Sequence, residues 1–403
     1  MSVINNKNDA LIDLDSFSVY LVSALVFISA WMDTIYWAHR SMGIVEKMYR
    51  LSLYAIVLVV VAQLIAEILI NKSIYLLVFL ILIMFLYGVF LTWENGLLTF
   101  RTMVTGNLAW ILVFCSFFIY GKRHELNDPI LQQIVLIGSS VYCLAVIPNL
   151  RIRMAGLDEL GGAIFSIYYS LGFLGLILLF CKRNTKVFFA LVVGIMVLLS
   201  SKRAGVLLYV VGLLAFFYVN AYLEDDISVR MRKYRTIAYI VLAGTVFAIS
   251  VTAIFRIGTL DRFQTITTDG GSGRDVIWES VLNKYRNAGI IKKVFGHGFH
   301  AVPIIIRPFN RYLFAHSSFV EVLFDFGIIG LVGMIGSILW LLICLIRMIK
   351  KRLLFAPIMA YSLVIVLLLS AVSYFFEESK MILPVAMTCG MCIGYLERKN
   401  VPE

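Results

Sequence analysis

Three places in this 403-residue chain hold side chains whose type and spacing could do chemistry. The first is His316, followed nine residues on by Asp325 within an apolar run, HSSFVEVLFDFG. Imidazole has an ordinary pKa near neutrality and suits a general base. A carboxylate inside an apolar run is costly and is a functional candidate for that reason. The second place is LLSSKRAGVLLY, where Lys202 and Arg203 stand between two hydrophobic segments joined by almost no loop. Simple snorkelling would account for them, and so would an anion held at the membrane face. The third is the stretch beginning at Arg274. Ile277, Trp278, Val281, Leu282 and Tyr285 recur there at helical spacing, which predicts an amphipathic helix lying on or over the membrane. Ser272 can cap this helix, and Asp275 and Glu279 favour its first turns. Arg274 then falls at the helix start, beside free backbone N–H groups, an arrangement suited to an anion.

Arg274 lies in segment 256–315 and His316 directly after it; the segment carries nine cations: Arg256, Arg262, Arg274, Lys284, Arg286, Lys292, Lys293, Arg307 and Arg311. Only Asp261, Asp269, Asp275 and Glu279 oppose them, leaving an excess of +5. A solvated loop of arbitrary charge is one reading. A surface for an anionic ligand held at the bilayer, such as a lipid-linked phosphate or diphosphate, is the other. No Asp-x-Asp pair falls in this segment; Asp13 and Asp15 lie in the amino-terminal tail, where no role is expected for them. Neither a metal nor a cofactor is therefore expected.

The elements that must position these groups follow from composition. The chain is 61% apolar and 15% charged, against roughly 45–50% and about 25% for soluble domains. That excludes a soluble enzyme, a DNA-binding domain and a disordered chain, and no nucleic-acid partner is expected. The apolar runs are continuous rather than alternating, so a β-barrel is excluded as well. The expected fold is all-α: a polytopic transmembrane helical bundle of about 12 spans, with one large extracytoplasmic loop carrying the amphipathic helix. Spans are expected near 16–36, 51–70, 73–92, 97–120, 129–148, 161–181, 186–200, 204–223, 236–255, 318–346, 355–376 and 380–396. Residues 1–255 thus hold nine spans, 256–315 the loop, and 316–403 the last three. With the amino terminus inside, 17 of the 35 Lys and Arg fall on the cytoplasmic side and nine in the short outer segments. The bias puts both termini in the cytoplasm. All six cysteines lie in or at the edge of spans, so no external disulfide is expected, and the Cys389–Cys392 pair reads as buried thiols. Gly327, Gly330, Gly333 and Gly336 recur every third residue, lining a face where another helix can pack closely.

The order of these motifs resembles the superfamily of O-antigen polymerases and O-antigen ligases, polytopic membrane glycosyltransferases. SSKRAG (Ser200–Gly205) precedes a hydrophobic helix. GSGRDVIW (Gly271–Trp278) and FGHGF follow in the large loop. His316, Asp325, Gly327 and Gly330 then form the pattern that closes it. The matching core covers roughly 190–340. Ser317 stands where the family often has Asn, and Asp325 where it often has Glu.

The resemblance implies metal-independent glycosyl transfer at the outer face of a bacterial cytoplasmic membrane. The donor would be a glycan on undecaprenyl diphosphate, with the lipid diphosphate leaving. Arg203 and Arg274 would clamp the diphosphate, and His316 would act as general base or orient the acceptor. Lys202, Arg256, Arg262, Arg307, Arg311 and Asp325 are candidates for substrate binding. Membrane lipid and a chain-length regulator protein are further candidate partners. A polymerase joins lipid-linked repeat units of a surface polysaccharide. A ligase transfers the glycan to the lipid A core of lipopolysaccharide. A flippase for lipid-linked oligosaccharide would be a different class, without chemistry.

Overall fold

A computed structural model describes residues 2–38, 43–70, 83, 103–154, 162–200, 202–237, 274–306, 313–373, 376 and 379–399. Twelve named helices organise them. The first seven are α1 (Ser2–Ala38), α2 (Gly43–Ile70), α3 (Ala109–Arg123), α4 (Pro129–Met154), α5 (Gly162–Phe180), α6 (Arg183–Leu199) and α7 (Arg203–Tyr222). The loop contributes α8 (Arg274–Arg286) and α9 (Ile290–Phe295). Last come α10 (Ser318–Lys350), α11 (Ala356–Val372) and α12 (Ser379–Arg398). No strand occurs among the described residues. Ten of the expected spans coincide with these helices; those at 73–92 and 236–255 lie outside the described residues apart from Ile83 and 236–237. Six described helices are long and apolar enough to cross a membrane, with Ile167–Phe180 and Ala356–Val372 as shorter apolar helices. The chain is a polytopic all-α membrane protein.

Close packing between described helices is set by small residues on α12. A Cβ on Gly390 or Gly394 of α12 would strike the Phe114 or Phe118 carbonyl of α3, so these two helices meet backbone to backbone. In α10, Gly333 and Gly336 have nothing within 4 Å among the described residues, and neighbouring Val332 is 62% exposed. That part of the stripe has no packing partner among the described residues.

Buried polar groups tie the amino-terminal helices together. Asp15 of α1 and Glu67 of α2, both fully buried, converge on Arg123 of α3, whose Nη2 meets Glu67 Oε2 at 2.7 Å. Gln63 Nε2 donates to Asp15 Oδ1 at 2.9 Å, and Ser116 Oγ donates to Gln63 Oε1 at 2.5 Å. Charges so buried persist only when paired. Asp15 therefore has a structural partner that its position in the tail does not suggest. All six cysteines are free thiols, Cys389 and Cys392 buried in α12.

The long helix α10 is two helices in practice. At 1.5 Å per residue, 33 residues extend to about 50 Å, well beyond a hydrocarbon core of about 30 Å. Gly327 breaks it with φ 66° and ψ −164°. The run after the break, 328–350, extends to about 35 Å and is itself long enough to span. Glu321 and Asp325 stand on the loop side of that break.

Candidate active site

The loop is clamped to α10 at the break. Gly298 N–H donates to the Asp325 carbonyl at 2.9 Å, and His297 N–H donates to the Phe324 carbonyl at 3.0 Å. A Cβ on Gly296 (φ 87°) would meet the Asp325 carbonyl, and one on Gly327 would meet the Val294 carbonyl. Both positions also need the left-handed backbone that glycine adopts without strain. The FGHGF motif thus exists to let two backbones touch. Asp325, fully buried, accepts the Ala301 N–H at Oδ1, 3.0 Å away, and so holds the turn that follows.

Helix α8 forms as the spacing predicts, but its apolar face lies on the protein rather than on a membrane. Ile277 and Val281 are buried in a satellite core with Ala301, Val302, Ala315 and Phe324, and Trp278 and Tyr285 pack against it. The loop supplies the apolar partner that a lone amphipathic helix would otherwise seek in lipid. Ser272, the expected cap, lies outside the described residues.

This packing positions His316. Trp278 Nε1–H donates to the Ala315 carbonyl at 2.7 Å. Ala315 N–H donates to Glu321 Oε2 at 2.7 Å. Both polar groups of the residue before His316 are therefore held, and Ser317 behind it caps α10 with extended backbone. Between them His316 takes φ 54°, a left-handed conformation uncommon for a side chain other than glycine. Glu321 Oε1 finds no hydrogen-bond partner among the described residues.

Two cations reach the imidazole. His316 is pulled down to about 4 from its ordinary value, first by burial and then by the charges of Arg274 and Lys202. Lys202 Nζ lies 5.8 Å from the ring centroid of Tyr168 on α5, and Arg274 acts electrostatically on Tyr168 too. Lys202 is presented by a tight turn: the Ser200 hydroxyl donates to the Val197 carbonyl at 2.7 Å and accepts the Lys202 N–H at 3.3 Å. Lys202 and Arg274, from two separate stretches of chain, therefore act on both His316 and Tyr168. Arg203 starts α7 directly after Lys202.

Not every candidate joins this group. Asp325 supports the loop turn. His300, pushed down to about 3 by burial, stacks on Phe299 at 4.1 Å and meets the edge of Phe314 at 5.1 Å. Arg256, Arg262, Arg307 and Arg311 lie outside the described residues. Tyr168 and Glu321 are additions that sequence reading passed over. Glu321 carried the same signal that singled out Asp325, an acid in an apolar run one helical turn away. Tyr168, an aromatic in a hydrophobic span, carried none. Among the described residues no three His, Cys, Asp or Glu side chains are grouped so as to hold a metal ion.

The family model described as O-antigen ligase matches residues 188–335. Over that segment the chain is similar to the O-antigen ligase family. The match begins in α6 and ends in α10, so it encloses the Ser200–Arg203 turn, Arg274, the Gly296–Gly298 clamp and His316. The likeness is to the O-antigen polymerase and ligase superfamily, whose members are membrane glycosyltransferase-like enzymes, and it covers that segment of the chain. No curated protein matches the chain.

Proposed function

We propose that this protein is an O-antigen polymerase, joining repeat units carried on undecaprenyl diphosphate at the outer face of the cytoplasmic membrane. The observation that carries the reading is the electrostatic action of Arg274 and Lys202 on a half-buried His316, whose pKa they help pull down to about 4. An acceptor hydroxyl attacks the anomeric carbon of the donor glycan. As that C–O bond forms, the hydroxyl proton passes to His316, and the bond from the anomeric carbon to the diphosphate oxygen breaks. The lipid diphosphate leaves with the electron pair. Its growing charge is met by Arg274 and Lys202, and Arg203 is assigned the same role from its place in the sequence motif, so the stabilisation increases towards the transition state.

The site has a built-in order of events. Without donor, the two cations and burial hold His316 neutral and weakly basic. A diphosphate seated between those cations offsets their field, and the imidazole becomes a better base when the substrate is present. The apolar spans would hold the polyprenyl tail and so position the reacting end.

A second reading is favoured by the description of the matching family: an O-antigen ligase, which shares the donor but passes the glycan to the lipid A core. Deleting the gene and resolving the surface glycan on a gel separates the two. Loss of a polymerase leaves single repeat units on the core. Loss of a ligase leaves the core bare, with long chains still on the polyprenyl lipid. Single units stranded on the inner leaflet would instead mean a flippase and overturn both.

A further inference from the structure

The apolar face of α8 is covered by the protein, yet the loop has a second apolar surface on α9. Ile290 and Ile291 are 77% and 72% exposed, and Phe295 is 41% exposed. Their location follows from the backbone clamp. Gly298 pairs with Asp325, while Val294 abuts Gly327. From Gly296 back to Val294 the loop passes from Asp325 to Gly327 of α10, where the spanning run begins. The carboxyl end of α9 therefore abuts the start of that run. Directly beyond Gly327, α10 exposes Ile328 (44%), Ile329 (47%) and Val332 (62%). The bare isoleucines of α9 thus stand within about one helical turn of Val294, which abuts the start of this surface. Lys292 and Lys293 follow them in the same helix, and Lys284 and Arg286 close α8 just before it.

We propose that α9 is an interfacial foot. Ile290, Ile291 and Phe295 enter the boundary between headgroups and acyl chains of the leaflet on the loop's side. The adjoining cations face lipid phosphates, a pairing of apolar anchor and basic flank that suits an anionic bilayer surface. The foot is stiffly joined to the rest of the loop, because the Tyr285 hydroxyl of α8 donates to the Lys293 carbonyl at 2.9 Å. It therefore sets the height of α8, and with it of Arg274, above the membrane. The inference does not depend on which glycan reaction the site performs.

The test uses the full chain reconstituted in vesicles of phosphatidylethanolamine and phosphatidylglycerol. A photo-crosslinking benzoylphenylalanine is placed at position 291, or at exposed Glu279 on α8, and adducts are read by mass spectrometry. Lipid adducts are expected at 291 and not at 279. A position 291 that yields no lipid adduct, or one matched by 279, overturns the proposal. A second measurement covers the case of poor insertion: trypsin cleavage after Lys292 and Lys293 in native-sequence vesicles against an Ile290→Ser/Ile291→Ser double variant. Cleavage is expected to be faster in the double variant, and equal rates overturn the proposal.

Discussion

In the proposed mechanism His316 serves as the base, and partial burial with the charges of Arg274 and Lys202 pulls its pKa down to about 4. That coupling has a kinetic signature. The acid limb of kcat/KM reports the free enzyme and is expected near pH 4, where the imidazole protonates and is lost as a base. The acid limb of kcat reports the donor complex, in which the diphosphate offsets Arg274 and Lys202, and is expected at higher pH. Arg274→Gln should move the free-enzyme limb upwards, because one of the depressing charges is gone. Coincident limbs that ignore Arg274 would sink the coupling. Arg274→Ala should lower kcat by about 100- to 1000-fold in an elongation assay with purified protein, the usual loss for one transition-state donor. Arg274→Lys should restore only part, since an ammonium cannot pair bidentately with phosphate. Glu321 acts through Ala315 rather than on substrate. Glu321→Gln keeps an acceptor for the Ala315 N–H and should retain most activity. Glu321→Leu should cost about 100-fold in kcat with little change in KM, the effect of a base displaced by about an ångström. Equal kcat in the two variants would rule out that positioning role.

At the scale of elements, the decisive contact is the backbone clamp between the Gly296–Gly298 turn and the break in α10. Gly296→Ala would drive a methyl into the Asp325 carbonyl from a backbone that alanine adopts reluctantly. The expected result is a normally inserted protein whose loop is loosened. Tryptic cleavage at Lys292 and Lys293 should accelerate and elongation should fall, while detergent melting of the spans moves little. A variant with intact activity would show that the clamp does not position the site. Much at this scale was legible beforehand. The 3.6-residue period of Ile277, Val281 and Tyr285 announced α8, and the apolar runs announced ten of the helices seen. What covers α8 was not legible, because periodicity reveals a face without naming its partner. The protein supplied Ala301, Val302, Ala315 and Phe324 where lipid was expected. Of the α10 glycines, Gly327 receives a loop backbone, and Gly333 has no described neighbour within 4 Å.

Over the whole molecule, the bundle is held by a few buried polar junctions set in apolar packing. Arg123→Met would leave Asp15 and Glu67 facing each other without a cation, and about 3–5 kcal/mol of destabilisation is the usual result of halving such a group. A lower melting temperature in detergent is expected, with the glycan-transfer site itself unchanged in pH behaviour. Unaltered melting would show that the junction is dispensable. Sequence alone determined the class of this protein, because 61% apolar residues in continuous runs have no other way to satisfy their backbone in lipid. It also marked His316, Arg274 and Lys202, because a His or a cation beside an apolar run is conspicuous wherever the chain goes. Only the tertiary structure decided that these residues, separated by up to 114 positions, act on one another. Tyr168, Trp278 and Glu321 entered the site by the same route. Their roles depend on distances across helices, which one-dimensional spacing does not contain.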